Sequence, residues 1–279
     1  MDEANQAARS LRQIAHQIAA AYSSQPEVLA VVLSGSQATR VADAESDLDI
    51  YVYCDAVPSV ASRVAIAQGR ASMYEVDNRF WETGDEWLEA QTGVQVDVTF
   101  RTQLWIEEKL AKVLERFEPS LGYSTSIWHN VLVSKPLYDR VGWFEKLQRW
   151  ARQPYPEQLA DAIIRHNYAV LRGAFDAYPR QLARAASRRD LVSLNHRTTA
   201  LLASYFDVLF ALNRSPHPGE KRLLPLAQAL PCVPAGMADQ IQALLHASVN
   251  APHRVVIEAE QLIDSLERLV NSPDSHSLL

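Results

Sequence analysis

The sequence predicts an α+β fold, in which an N-terminal mixed sheet with flanking helices is followed by an all-α helix bundle. Two patterns lead to this prediction. Within the first 100 residues, short apolar or alternating runs recur, which is typical of strands. From Thr102 onward, apolar residues recur with the period of about 3.6 that marks helices. We therefore expect a domain boundary near Glu118-Pro119-Ser120, with domains at 1–118 and 119–279.

The first half begins with a helix and continues with strands. An amphipathic stripe from Leu11 to Tyr22 predicts a helix that ends near Gln25-Pro26. An apolar run that stops at Ser34-Gly35-Ser36 predicts a buried strand entering a tight turn. Strict alternation around Asp97 places Asp97 on the polar face of its strand. The predicted strands cover residues 28–33, 48–54, 72–81 and 94–100.

The second half is predicted to be helical throughout. Its periodic segments are interrupted by prolines, and they show no internal repeat. The predicted helices cover residues 103–117, 124–134, 141–152, 156–178, 188–213, 236–248 and 252–271.

Charge and composition limit the class of protein. Residues 1–118 carry 10 basic and 19 acidic side chains, whereas residues 119–279 carry 17 and 14. This asymmetry favours an enzyme that holds cations on one side and meets an anionic substrate on the other, although a solvated surface explains it equally well. With two cysteines and no apolar leader or spanning segment, we expect a cytoplasmic protein with no membrane contact. No dinucleotide, P-loop or zinc-binding motif is present in the sequence.

The chemical signal is an ordered set of small and acidic residues. Gly35 and Ser36 follow one strand, and Asp47 and Asp49 open the next with their carboxylates on one face. A third carboxylate, Asp97, stands on a later strand and would join them if the two strands are neighbours. Carboxylates aimed at one point repel unless a hard divalent ion such as Mg²⁺ lies between them. The glycine turn allows a phosphate to approach the backbone closely.

This constellation resembles the polymerase-beta-like nucleotidyltransferase superfamily, whose core combines a Gly-Ser turn, a spaced Asp-x-Asp and a third carboxylate. The sequence is most similar to bacterial members with a helical C-terminal domain, including aminoglycoside adenylyltransferases. Segments 80–87 and 218–223 look like those of an uncharacterised family in that group, so the resemblance extends over most of the chain. Arg40 departs from the pattern, since many members have glycine there.

The resemblance implies a metal-dependent transfer of a nucleoside monophosphate, AMP from ATP, to a hydroxyl of a small molecule or a protein. Asp47, Asp49 and Asp97 would bind two Mg²⁺ ions, and Asp97 could also accept the proton of the attacking hydroxyl. Gly35 and Ser36 would contact phosphate, and Lys221 is a candidate for the terminal phosphate because a flexible ammonium suits it. The acids Glu82, Asp85 and Glu86 could bind a cationic acceptor or act as base, or could simply connect two strands.

Two other functions stay open at this stage. Arg189 and His196 lie seven residues apart, a spacing that would put them on one helical face and that looks like the motif of a helical ribonuclease of toxin–antitoxin pairs. The second alternative is a regulator that binds nucleotide without catalysis. The sequence does not identify the acceptor or the oligomeric state, and it gives no specific indication of a nucleic-acid partner.

Overall fold

The structure is a computed structural model that describes residues 2–35 and 47–272 of the 279-residue chain. The chain forms two compact units. The first, which we call the sheet unit, comprises Met1–Ala111 and Asn130–Gln153; the second, the helical unit, comprises Lys112–His129 and Pro154–Leu279. The α+β class expected from the sequence is confirmed. The predicted domain boundary between residues 118 and 119 stays a prediction.

The sheet unit is built on a mixed sheet, which contains six strands in the described part of the chain. Their spatial order is β3-β4-β5-β2-β1-β6, with β2 and β5 parallel and every other neighbouring pair antiparallel. The strands are β1 (Val28–Leu33), β2 (Leu48–Cys54), β3 (Ala71–Asn78), β4 (Gly84–Glu89), β5 (Gln95–Thr102) and β6 (Lys135–Asp139).

One face of this sheet is covered and the other carries the acidic residues. The core combines apolar side chains of β2 and β5 with those of the first helix, including Ile50, Val98 and Ile18. Because side chains alternate along a strand, Asp49 and Asp97 lie on the opposite face. Among the residues that the structure describes, the helices of the sheet unit are α1 (Asp2–Ser23), α2 (Val60–Gln68) and α5 (Trp143–Ala151). Two further helices, α3 (Gln103–Leu114) and α4 (Ser126–Val133), include residues assigned to each unit.

The helical unit packs around one long central helix. Its apolar core includes Leu201, Tyr205 and Leu209 of that helix, all fully buried. Over the described ranges, no helix combines the length and apolar character needed to cross a membrane. The helices are α6 (Glu157–Tyr168), α7 (Tyr178–Ser187), α8 (Leu191–Leu212), α9 (Leu223–Gln228), α10 (Met237–Asn250) and α11 (Val255–Val270).

Several element predictions were wrong for identifiable reasons. The strand expected over 72–81 ends at Asn78, and β4 follows it as a strand that was not predicted. β4 is acidic, and its inward-facing Asp85 is buried only because the guanidinium of Arg63 pairs with it at 2.6 Å. Hydrophobic periodicity does not detect such a strand, since two of its three buried positions, Asp85 and Glu89, are acidic.

The helix expected over 156–178 is also broken in the structure. α6 ends at Tyr168, a wider turn over Ala169–Gly173 follows, and α7 begins with Pro179 in its first turn. Glycine and proline favour such a break. The short elements α2, α9 and β6 were not predicted, and β6 contains Pro136 at the sheet edge, where a missing N–H is tolerated.

Candidate active site

The acidic site begins at the start of β2. Asp47 directly precedes this strand, and Asp49 is its second residue. Both are partly exposed, whereas Leu48 and Ile50 point into the core. The predicted arrangement of β2 is confirmed, because the apolar residues anchor the strand and leave the carboxylate of Asp49 on the open face.

Asp97 meets Asp49 across the sheet. β2 and β5 are parallel neighbours, and their register makes Asp49 and Asp97 direct partners. The two strands are therefore neighbours, as the predicted acidic site requires. The side-chain amide of Gln95, two residues before Asp97 on the same face, donates to Asp97 Oδ1 at 3.1 Å. This bond orients one oxygen of the carboxylate.

The Gly35 turn lies directly against the Asp49 carboxylate. Gly35 has a φ of +61°, in the left-handed region, and a Cβ built on it would lie 2.7 Å from Cγ of Asp49 and overlap Oδ2. The backbone N–H of Ser34 donates to the Asp49 carbonyl at 2.9 Å, which holds the turn on β2. Only glycine meets both demands, a positive φ and a close approach. Ser36 and Arg40 lie outside the described residues.

The acidic site extends further along the sheet than the sequence indicated. Asp97 is paired with Glu86 on β4, and Glu86 is paired with Glu75 on β3, so four carboxylates occupy one row across β2, β5, β4 and β3. Partial burial, and then the charges of Asp97 and Glu75, raise the pKa of Glu86. The side-chain amide of Asn78 donates to Glu86 Oε1 at 3.0 Å. No sequence motif marks this row, because it depends on the register of strands.

The other two acids near Glu86 have structural partners. Glu82 accepts two hydrogen bonds from the buried guanidinium of Arg101, at 2.9 and 2.7 Å. Asp85 is fully buried on the core face, where Arg63 and Tyr22 donate to it. Burial raises the pKa of Asp85 despite these donors. Of the three candidate acids, Glu86 alone lies in the row with Asp49 and Asp97.

The available donor atoms are carboxylate oxygens, which are the kind of ligand that a hard divalent ion prefers. Asp47, Asp49 and Asp97 offer only carboxylate oxygens, and the missing side chain at Gly35 lets the Asp49 carboxylate lie directly against the backbone. Across residues 2–35 and 47–272, no three acidic, histidine or cysteine side chains stand close enough together to form a complete metal site as they are. Mg²⁺ does not require one, since it commonly takes one or two carboxylates and completes its shell with water and substrate phosphate.

The structure separates the two residues of the ribonuclease hypothesis. Arg189 has a φ of 54° and precedes α8, whose N-cap is Asp190; the Asp190 side chain accepts from the Ser193 N–H at 3.0 Å. His196 is exposed within the helix. The expectation that Arg189 and His196 share a helical face was therefore wrong, because the cap begins the helix after Arg189. Lys221 is exposed in a turn of the helical unit before α9.

Comparison with known proteins gives little beyond these observations. No family model matches the chain, and no curated protein matches it. Among solved structures, the chain is similar to the crystal structure of a nucleotidyltransferase-like protein from Exiguobacterium sibiricum 255-15. That similarity has a TM-score of 0.45 and 12% identity, and it covers 92% of this chain and 76% of the other.

Proposed function

We propose that this protein is a metal-dependent nucleotidyltransferase that moves AMP from ATP to a hydroxyl of a small molecule or protein and releases pyrophosphate. The observation that carries the proposal is the pairing of Asp49 with Asp97 beside the Gly35 turn. Two carboxylates on adjacent strands, next to a backbone turn without a side chain, favour a bound cation and an incoming phosphate.

Each residue has a distinct role in the proposal. Asp47, Asp49 and Asp97 would hold Mg²⁺, two ions by the resemblance of the sequence, and the bound metal would neutralise charge on the phosphate oxygens. The Gly35 turn would let the phosphate chain approach the backbone without a steric clash. Ser36 would add a hydroxyl beside it. Lys221, which is exposed, would contact the terminal phosphate.

The chemical step requires only one proton acceptor from the protein. The oxygen of the acceptor hydroxyl forms a bond to the α-phosphorus, while the bond from that phosphorus to the bridging oxygen of the β-phosphate breaks. Pyrophosphate leaves with the electron pair, and the hydroxyl proton passes to Asp97. The bond from Gln95 holds one Asp97 oxygen, so the carboxylate is oriented before substrate binds.

Calorimetry with ATP, GTP, CTP and UTP, each with and without Mg²⁺, tests the binding part of the proposal. We expect Mg²⁺-dependent binding of ATP that Asp49→Asn and Asp97→Asn each weaken at least tenfold. Asp55→Asn is the matched control, because it removes the same charge from an exposed position just beyond β2. Failure of all four nucleotides to bind would contradict the proposal.

Transfer is tested with nucleotide labelled in the α-phosphate. Wild-type protein should move the label onto an acceptor fraction, whereas Asp97→Asn should lose that transfer. Tight nucleotide binding without any transfer, over a broad set of hydroxyl compounds and proteins, would favour the regulatory alternative instead.

A further inference from the structure

The sheet unit contains a cavity that lies away from the row of Asp49, Asp97, Glu86 and Glu75. Its volume is about 400 Å³, and it is formed by the end of β5, the start of α3 and the segment between β3 and β4. This volume is in the range of small-molecule sites. Asp97 and Arg101 lie on the same face of β5, four residues apart, which is about 13 Å along a strand. The cavity is therefore separate from the proposed metal site.

Aromatic side chains form part of the cavity lining, together with charged and polar ones. Trp81, Trp105 and Phe100 all line it. Trp81 is 95% exposed, although it is the largest apolar side chain in the segment between β3 and β4. An exposed indole at the edge of a cavity buries apolar surface when it stacks on the flat face of a ligand, and this burial favours binding.

The polar end of the cavity is held rigidly before any ligand binds. Arg101 is 5% exposed, and its guanidinium lies over the rings of Tyr51 and Trp105, 4.0 and 4.9 Å from their centroids. Glu82 fixes one edge of the guanidinium through two hydrogen bonds. Nη1 of Arg101 is buried, and the guanidinium also interacts with the buried hydroxyl of Tyr53, whose pKa it lowers against the larger effect of burial. The guanidinium therefore forms a fixed edge of the cavity.

Electrostatics indicate a neutral ligand. The charge of Arg101 is balanced by Glu82, and Arg79, the other cation of the lining, pairs with Asp77 at 2.9 Å. A fully ionised ligand would find no uncompensated charge here. Aromatic side chains beside a fixed, charge-balanced guanidinium instead suit a planar, neutral heteroaromatic ring.

We infer that this cavity binds a nucleobase, which stacks on Trp81 beside the Arg101 guanidinium. The inference goes beyond the proposed transfer reaction, because stacking needs neither metal nor the carboxylates. Two sources share this chemistry: the base of the donor nucleotide, and the base of a separate nucleoside compound.

Ligand-observed NMR and calorimetry with the four nucleosides, without phosphate and in EDTA, test the inference. We expect at least one nucleoside to bind wild-type protein, Trp81→Ala to weaken that binding about tenfold, and Trp81→Phe to restore most of it. Phe80→Ala is the matched control, since Phe80 is 81% exposed in the same segment but does not line the cavity. Asp49→Asn should leave nucleoside binding unchanged, so failure of the transfer proposal is distinguishable from failure of this one.

The outcomes are separable. The inference is overturned if no nucleoside binds, if benzoate binds and nucleosides do not, or if Phe80→Ala weakens binding as much as Trp81→Ala does. Binding of ATP with Mg²⁺ then identifies the source. If Trp81→Ala weakens it as well, the base of the donor nucleotide occupies the cavity. If it is unchanged and a nucleoside still binds in saturating ATP, a separate nucleoside compound is the ligand.

Discussion

A Cβ on Gly35 would overlap the Oδ2 oxygen of Asp49, so the turn and the carboxylate can occupy their positions only while residue 35 has no side chain. Gly35→Ala must therefore displace either the turn or Asp49. Displacement by about 1 Å at a catalytic group costs on the order of 10²-fold in rate, and we expect a loss of transfer of that size. The measurement is nucleotide transfer at saturating Mg²⁺.

Gly93→Ala is the matched control for this change. Gly93 also has a positive φ, +71°, but nothing lies within 4 Å of its added Cβ. Both variants carry the backbone strain of a left-handed residue, about 1 to 2 kcal/mol, and only Gly35→Ala perturbs the carboxylate. Equal activity of the two variants would contradict a specific role for the contact with Asp49.

Glu86 is expected to strengthen metal binding although it was not among the predicted ligands. Its negative charge beside Asp97 adds to the attraction for a cation. Glu86→Gln retains an oxygen for the Asn78 amide and removes the charge, so Mg²⁺-dependent nucleotide binding should weaken several-fold. Glu75→Gln, one strand further from Asp97, should have a smaller effect.

This prediction includes a pH dependence. Because the pKa of Glu86 is raised, its charge is lost at a higher pH than that of an ordinary carboxylate as the solution is acidified. Wild-type binding should therefore weaken on mild acidification more than binding by Glu86→Gln does. Parallel pH profiles of the two proteins would be inconsistent with a charge effect of Glu86 on the metal.

The sequence predicted those parts of the site that depend on local pattern. Alternation alone placed Asp49 and Asp97 on the polar faces of their strands, and Gly35 was recognisable at the end of an apolar run. Glu86 was one of three candidate acids, but its place beside Asp97 could not be predicted, because β4 contains buried charges and its register is set by pairing with β5. Arg189 was misplaced because spacing was assumed to lie within a helix that in fact begins after the Asp190 cap.

The buried Arg63–Asp85 pair should be essential to the stability of the sheet unit. Arg63 is 2% exposed and donates to Asp85, Asp77 and the Pro58 carbonyl. Arg63→Met leaves the carboxylate of Asp85 buried without its cation, and we expect the free energy of unfolding to fall by about 3 to 5 kcal/mol. Equilibrium unfolding in denaturant measures this change in the free energy of unfolding.

A double variant separates the pair from the packing around it. Arg63→Met with Asp85→Asn removes both charges, so the combined cost should be clearly smaller than the sum of the two single costs. Strict additivity would mean that the two side chains contribute independently.

His217 should make the stability of the helical unit depend on pH. It is fully buried between the rings of Tyr123 and Phe210, and its Nδ1 accepts from the Gly219 N–H at 3.1 Å. Burial, and then the nearby His129, lower the pKa of His217 to about 4. Between that value and the ordinary one of about 6.5, the unfolded chain binds more protons than the folded chain, so stability falls as pH falls through this range.

Asp207 acts in the opposite direction within the same unit. Burial raises its pKa to about 6, although Ser124 and Asn167 donate to its carboxylate. The folded chain therefore holds the extra proton between the ordinary carboxyl pKa, about 4, and pH 6, and stability falls as pH rises there. The two effects oppose each other over this interval, so the wild-type profile alone would conceal both.

A His217→Phe variant exposes the histidine contribution. It keeps the ring contacts and loses the bond from Gly219, so it should be less stable than wild type at pH 7. The stability of wild type relative to the variant should fall by about 3 kcal/mol as the pH approaches 4, because only wild type must then keep a buried imidazole uncharged. The same replacement at the exposed His246 controls for loss of an imidazole. A difference that does not change with pH would mean that folding imposes no penalty on the charged form of His217, and NMR titration of its ring would decide the matter directly.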